Sequence, residues 1–216
     1  MYKTPEIQEM SIVLVGSFNP KIFHPAWFAA QKIIREKEAE DANIELITPA
    51  VAKFSLDWMR LQVIQEQFVV ETTQEPYYEI LRDLVVSAFS LLNYTPITML
   101  GINTQQHFKM HSEDEWNKLG HDLVPKEKYW TPVLEKPGMR NLIVQGQRQD
   151  RYKGCIQVKV EPSSKIPIGV YISVNDHYEV KGELDCKAIV DILNIDWVNS
   201  RQRAEKLVKH FVDTAP

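Results

Sequence analysis

Residues 44–72 read IELITPAVAKFSLDWMRLQVIQEQFVVET. Two stretches rich in β-branched and aromatic residues, 44–56 and 59–72, meet at Asp57-Trp58 with no helical pattern between them. A direct step from strand to strand joins antiparallel neighbours, because a parallel pair needs a crossover of about a dozen residues or more. The step argues against a doubly wound parallel sheet, which sets helices between nearly all its strands. Pro49 within the first stretch predicts an edge position or a bulge. In the second stretch the apolar set changes phase, from Met59, Leu61 and Val63 to Ile64, Phe68 and Val70. That predicts a bulge or burial on both faces.

On the N-terminal side, residues 6–18 read as a strand in which Ile12, Val13, Leu14 and Val15 form an unbroken apolar run. The turn Asn19-Pro20 follows. Pro25 suits the first position of a helix over 25–41, whose apolar face is Trp27, Ala30, Ile33 and Ile34. On the C-terminal side, Glu75-Pro76 opens a helix with a broad stripe of Tyr77, Leu81, Leu84, Val85, Ala88, Leu91 and Leu92. It ends near Asn93, and 97–110 is the next strand. The order β-α-β-β-α-β is the split βαβ arrangement of ferredoxin-like folds, with both helices on one face. Ser112 then caps a short helix over 113–119, and 120–138 is irregular. Strands follow at 139–149, 154–161 and 167–180. The end of the chain is helical, with Leu184, Ala188 and Ile192 four residues apart and a second helix that Asp196 caps.

The expected fold is therefore α+β: an antiparallel sheet with a ferredoxin-like split-βαβ first half, extended by a three-strand meander and C-terminal helices. One domain spans 1–216. The proline-bearing stretch 120–138 is the place where a 1–119 half and a 139–216 half would divide. A split-βαβ sheet leaves one face open. The run Ile12, Val13, Leu14 and Val15 puts apolar side chains on both faces of the first strand, and 59–72 is likewise apolar in both phases, so that face calls for cover by the later elements, a second copy or a protein partner.

Among the 216 residues, 44% are hydrophobic and 25% charged, values typical of a folded chain and not of a disordered one. No apolar run is long enough to cross a bilayer, and residues 1–9 lack the basic and apolar regions of a secretory signal. Cys155 and Cys186 stand in no metal-ligand spacing. These features predict a cytoplasmic chain with free thiols, no membrane and no bound cofactor or metal. The net charge of −4 is uneven: residues 118–165 carry 10 basic and 5 acidic side chains. A basic island on an acidic chain suits a solvated hairpin, an acidic partner surface or a phosphate backbone.

Candidate site residues fall into two sets. The turn 148–154 gathers Arg148, Arg151 and Lys153 with Tyr152, a mixture that can hold a phosphate or stack on nucleic acid. Asn103 and His107 near the end of one strand are echoed by Asn175 and His177 in another, each with an aromatic neighbour. A third stretch, Gly16-Ser17-Phe18-Asn19-Pro20 with His24, resembles the opening of nucleotidyltransferases that present a His-x-Gly-His signature to phosphates. The second Gly-His pair is missing here, so the stretch reads as a strand end, a turn and a helix start.

Several phrases together resemble a group of sporadically distributed bacterial proteins of about this length without an assigned activity. They are Leu100-Gly101-Ile102-Asn103 with His107-Phe108, Trp116 with Leu119-Gly120 and Leu123, Pro137-Gly138-Met139, Arg148-x-Asp150 with Gly154, Val160-Glu161-Pro162-Ser163, and Asn175-Asp176-His177-Tyr178. The resemblance spans about residues 7–180. It implies a bacterial protein, and the patchy occurrence of the group suits a defence-associated gene. With no catalytic constellation evident, the expected function is a non-enzymatic binding or assembly subunit of an intracellular complex, as a homodimer or with a protein partner. The alternatives are a nucleotide-binding enzyme using 16–24 and a nucleic-acid-contacting accessory protein using 148–153.

Overall fold

The computed structural model describes residues 1–180 and 186–215. Its sheet is built around β1 (Ile7–Gly16), which pairs with β5 (Gln67–Thr72) on one side and β6 (Ile97–Lys109) on the other. Beyond β5 lie β4 (Arg60–Ile64), β3 (Val51–Ser55) and β2 (Asn43–Ile47). Beyond β6 lie β9 (Gly169–Glu179), β8 (Gly154–Pro162) and β7 (Leu142–Gln147). Among the described residues this is one antiparallel sheet of nine strands, and the class is α+β.

The two long strands expected at 44–56 and 59–72 are each a hairpin. In the first, the Thr48 hydroxyl accepts from the amides of Ala50 and Val51 at 3.3 and 3.1 Å, so Pro49 is a turn residue and interrupts no ladder. In the second, Gln65 and Glu66 form the turn between β4 and β5. The reversal explains the change of apolar phase: Leu61 and Val63 pair with Val70 and Phe68 on the same face. The turn carbonyls are not idle, since Glu66 accepts from the Gly16 amide and Gln65 from the Phe18 amide.

Among the described residues five α-helices accompany the sheet: α1 (Pro25–Ala30), α2 (Glu36–Glu40), α3 (Tyr78–Leu91), α4 (Glu113–Leu123) and α5 (Lys187–Thr214). The helix expected over 25–41 is broken because Lys32 adopts a left-handed conformation, φ 59°. At the C-terminus one helix replaces the expected two. Asp196 lies inside α5 and caps nothing; Leu184 lies outside the described residues.

Strand alternation decides what the helices cover. One face carries the cross-strand row Phe54, Leu61, Val70, Ile12 and Ile102, all 0–2% exposed. Phe28 of α1, Leu81, Val85 and Phe89 of α3, and Trp197 of α5 complete that core. A second core joins Phe108, Val160, Val170, Ile172 and Val174 to Leu119 of α4 and to Ala204, Val208 and Val212 of α5. Each such side chain contributes roughly 1.5–3 kcal/mol when fully buried. The other face differs from the expectation that it would be apolar and in need of cover. Val13 and Val15 are only half-buried there, and the centre of the face is polar.

The β7–β8 hairpin closes at Gly154, whose φ is +130° and where an added Cβ would stand 2.0 Å from the His177 carbonyl oxygen. Gly154→Ala should lower stability by about 1–3 kcal/mol, measured by urea denaturation. A change within error would show that the hairpin can shift away from β9.

Candidate binding face

The uncovered face is organised by register. Ser11 pairs with Asn103, Asn103 with Asn175, Asn175 with Gln157, and Gln157 with Gln145, so five neutral hydrogen-bonding side chains cross β1, β6, β9, β8 and β7 in one row. The Asn103 amide donates to the Ser11 hydroxyl at 3.2 Å, and Gln157 donates to Gln145 at 2.9 Å. The Asn175 carbonyl oxygen is buried and unpartnered. A neighbouring row holds Glu9, Gln105, Ser173 and Lys159. Here Gln105 donates to Glu9 at 3.1 Å and accepts from the Tyr171 hydroxyl at 2.7 Å. Between Val13 and His177 sits Gly101, where a side chain would crowd both asparagines: its Cβ would lie 3.3 Å from the Asn175 oxygen and 3.6 Å from the Asn103 amide nitrogen. The glycine leaves a notch over the amide pair.

The structure thus brings Asn103, His107, Asn175 and His177 onto one face of two adjacent strands. Asn103 and Asn175 are direct register partners, His177 pairs with Gly101 and Cys155, and His107 pairs with Tyr171. His107 is buried at the far end of the face. Its Nδ1 lies 2.8 Å from the Ser163 hydroxyl and its ring 4.8 Å from that of Tyr171. Ser163 also accepts from the Lys165 and Ile166 amides, which curls the β8–β9 connection towards this end, and Lys165 lies 3.9 Å from Glu9. Burial, helped by the Lys165 charge and opposed by Glu161, holds the imidazole below its ordinary 6.5. Burial likewise pushes the Tyr171 hydroxyl up, keeping it a donor.

The basic turn divides. Arg148 points inward, its side chain 2% exposed. One Nη bonds Asp176, a carboxylate set in the apolar row beside Ile102, and the rest of the guanidinium grips Asp150 at 2.5 and 3.0 Å. Its plane lies 3.8 Å from the Tyr178 ring. Arg203 of α5 approaches from above, with Nη2 2.6 Å from Asp176, 2.5 Å from Asp196 and 2.8 Å from the Tyr178 hydroxyl. That hydroxyl lies within 3.0 Å of Asp176 and 2.7 Å of Asp196. Burial opposes ionisation of Asp196, but hydrogen bonds from Arg203, Asn199 and Tyr178 outweigh it and hold the carboxyl below its ordinary 3.8. Arg151 and Lys153 remain exposed at the tip, Arg151 bonded to the Tyr152 hydroxyl at 3.0 Å. Arg148 therefore faces a different way from Arg151 and Lys153. Sequence reasoning missed Asp176, Asp196 and Arg203 as one group. Their signal was a charged residue in the buried phase of β9, matched by Asp196 and Arg203 seven apart on the inner stripe of α5.

The stretch 16–24 has structural partners throughout. The Gly16 and Ser17 amides bond Glu66 and Pro96, and an added Cβ at Gly16 would stand 2.1 Å from the Pro96 oxygen. His24 Nδ1 accepts from the Ala26 amide at 3.1 Å, capping α1. Among the described residues no three His, Cys, Asp or Glu side chains are grouped to hold a metal ion, and no helix is long and apolar enough to cross a membrane. No protein-family model and no curated protein matches the chain.

Removing Asp176 takes from both arginines the buried acceptor that they share. Asp176→Ala should cost about 3–5 kcal/mol in urea denaturation. Asp176→Leu combined with Arg148→Met should cost less than Asp176→Ala alone, because it also removes the buried guanidinium that has lost its acceptor and fills the space with apolar atoms. Equal losses would show that packing, and not charge balance, sets the cost. A second outcome concerns pH. Because the folded His107 binds its proton more weakly than the unfolded chain does, its contribution is full above about pH 6.5 and is lost as pH falls through the lower folded value. Stability measured from pH 7.5 to 5 should therefore fall less steeply in His107→Gln than in the wild type; identical slopes would exclude His107 as the source.

Proposed function

We propose that this chain is a non-enzymatic binding or assembly subunit that meets its partner through the uncovered polar face of the sheet. The observation that carries the reading is the row Ser11, Asn103, Asn175, Gln157 and Gln145, with the buried Asn175 oxygen lacking a donor. A buried acceptor without a partner costs about 1–3 kcal/mol, which a donor on a bound surface would recover. The row itself is uncharged, so it suits a partner surface rich in amides or hydroxyls better than a phosphate backbone. A homodimer and a complex with a different protein both fit this reading. The resemblance to sporadic bacterial proteins would place such a complex in the bacterial cytoplasm, in a defence role. The ferredoxin-like reading of the first half belongs with these proposals; it is supported by β1 lying between β5 and β6, the strands that α3 connects.

The test is purification at native expression level, with intact-mass measurement of whatever is retained. Asn103→Asp with Asn175→Asp places two like charges on the face without touching the apolar cores. A stoichiometric partner on the wild type should be retained at least tenfold less by this variant, compared at a temperature well below the melting of both proteins, since the paired carboxylates also weaken the sheet. Equal retention would overturn the face as the contact.

A further inference from the structure

The two ends of the sheet are finished differently. At one end β2 carries a register shift between Ile44 and Leu46, a charged Glu45 held by Lys53 at 2.7 Å, and Pro49 in the turn that follows. Bulges, charges and prolines are the devices by which edge strands avoid pairing with other chains. At the other end β7, Leu142–Gln147, has none of them. Its six residues, LIVQGQ, are uncharged and free of proline, and they pair with β8 in unbroken register. Among the described residues, no backbone hydrogen bond outside the β8 ladder reaches this strand. In an antiparallel ladder alternate residues direct their N–H and C=O groups away from the partner, so β7 presents a row of unused donors and acceptors. Ile143 and Val144 are each 57% exposed.

The helix side of this edge is also unfinished. A groove of about 390 Å³ runs between the β7–β8 ladder and the end of α5, lined by Leu142, Val144, Val158, Val160, Leu207 and Phe211. Through Val144, Val158 and Leu207 it continues into a second space of about 520 Å³ that ends at Asp150 and Arg203. An open strand edge and an apolar groove therefore lie side by side.

We propose that β7 is the seam of a twofold dimer, in which the β7 strands of two copies pair antiparallel and join the two sheets into one. The proposal rests on the reading of the chain as an assembling one and adds where copies meet. Charge selects a second copy as the occupant. A strand paired with its own reverse sets like beside like, and an uncharged strand is the kind that can do so without repulsion. A twofold axis normal to the sheet also keeps the faces matched. Helix side meets helix side, so Val144 of each copy enters the apolar layer, and Gln145 at the end of the polar row stands opposite Ile143 of the second copy, beyond which that copy's Lys159, Ser173 and Gln105 carry the row on. With Val144 on the axis, Leu142 stands opposite Gly146 of the second copy, a large side chain against none.

Light scattering during size exclusion, from micromolar to hundreds of micromolar chain, reads the assembly. The wild type should appear at twice the 25.1 kDa chain mass. Val144→Lys puts two ammonium groups opposite each other at the axis and should raise the dissociation constant at least tenfold. Ile44→Lys on the opposite edge should leave it unchanged. A dimer that persists unweakened in Val144→Lys would remove the seam and leave assembly standing. A wild type that stays at the chain mass throughout would remove self-association while the polar-face reading is still judged by its own retention experiment. Should Val144→Lys misfold, Val144→Cys in a Cys155→Ser background, treated with a short bis-maleimide, decides. A covalent dimer supports the seam, and its absence overturns it.

Discussion

Asp176 is a carboxylate set into a row of the sheet whose neighbours are Ile102 and Ile156, and much of the architecture follows from the need to answer its charge. Neither of those strands can do so. The answering groups come from two other places: Arg148, just past the end of β7, and Arg203, in α5. Each arginine is in turn held by a second carboxylate, Asp150 or Asp196, so two guanidinium groups are shared among three carboxylates, and the Tyr178 hydroxyl lies within hydrogen-bond distance of both Asp176 and Asp196. A hydrophobic cluster tolerates sliding, whereas a buried charge does not. Shifting α5 by one residue turns Arg203 by about 100° around the helix axis and leaves Asp176 half paired. We read the group as the device that fixes the register of α5 and the seating of the β7–β8 hairpin, a role better attested for buried ion pairs than net stabilisation.

That registration matters because α5 serves two cores. Its 28 residues extend about 42 Å. Trp197 and the residues before it pack on the first cluster, Ala204 and those after it on the second, and the polar turn of Asp196, Ser200 and Arg203 falls between them. On β9 the same division appears at Val174, Asp176 and Tyr178. The ion group is thus the joint between two apolar bodies that one sheet already connects. With the five described α-helices on this side, the opposite face is left without a helical layer.

Much of this could be read from alternation and helical spacing, and the errors have identifiable physical causes. The strand step at Asp57-Trp58 and the three-strand meander are periodic signals and appear as read; the stripe of α3 does so at Leu81, Leu84, Val85 and Ala88, while Leu91 is exposed and Tyr78 and Phe89 are buried in addition. The hairpins at Thr48 and Gln65 were hidden because a two- or three-residue turn between short strands leaves the composition of a long strand intact. Asp196 looked like a helix start because an acidic residue before Trp197 suits a cap; only the distant Arg203 and Tyr178 make it an interior residue. Arg148 looked like part of a basic tip. Its position relative to Leu142, Val144 and Gly146, all in the same phase, would have turned it inward. The polar character of the open face was likewise present in Ser11, Asn103, Asn175 and Gln157, but it becomes a row only when the register between four distant segments is known.

Period-two alternation also separates the two kinds of constraint on these strands. In β9 the residues Val170, Ile172, Val174, Asp176 and Tyr178 are bound to the helices and to the ion group, while Tyr171, Ser173, Asn175 and His177 between them touch only the open side and its neighbours. A substitution in the second set changes hydrogen-bonding pattern or charge without opening a cavity, since each side chain there is bounded by other side chains of the same face. The open face can therefore vary its chemistry at small cost to the fold, whereas the helix-side positions cannot. The sheet thus carries a surface with that freedom on a core with none.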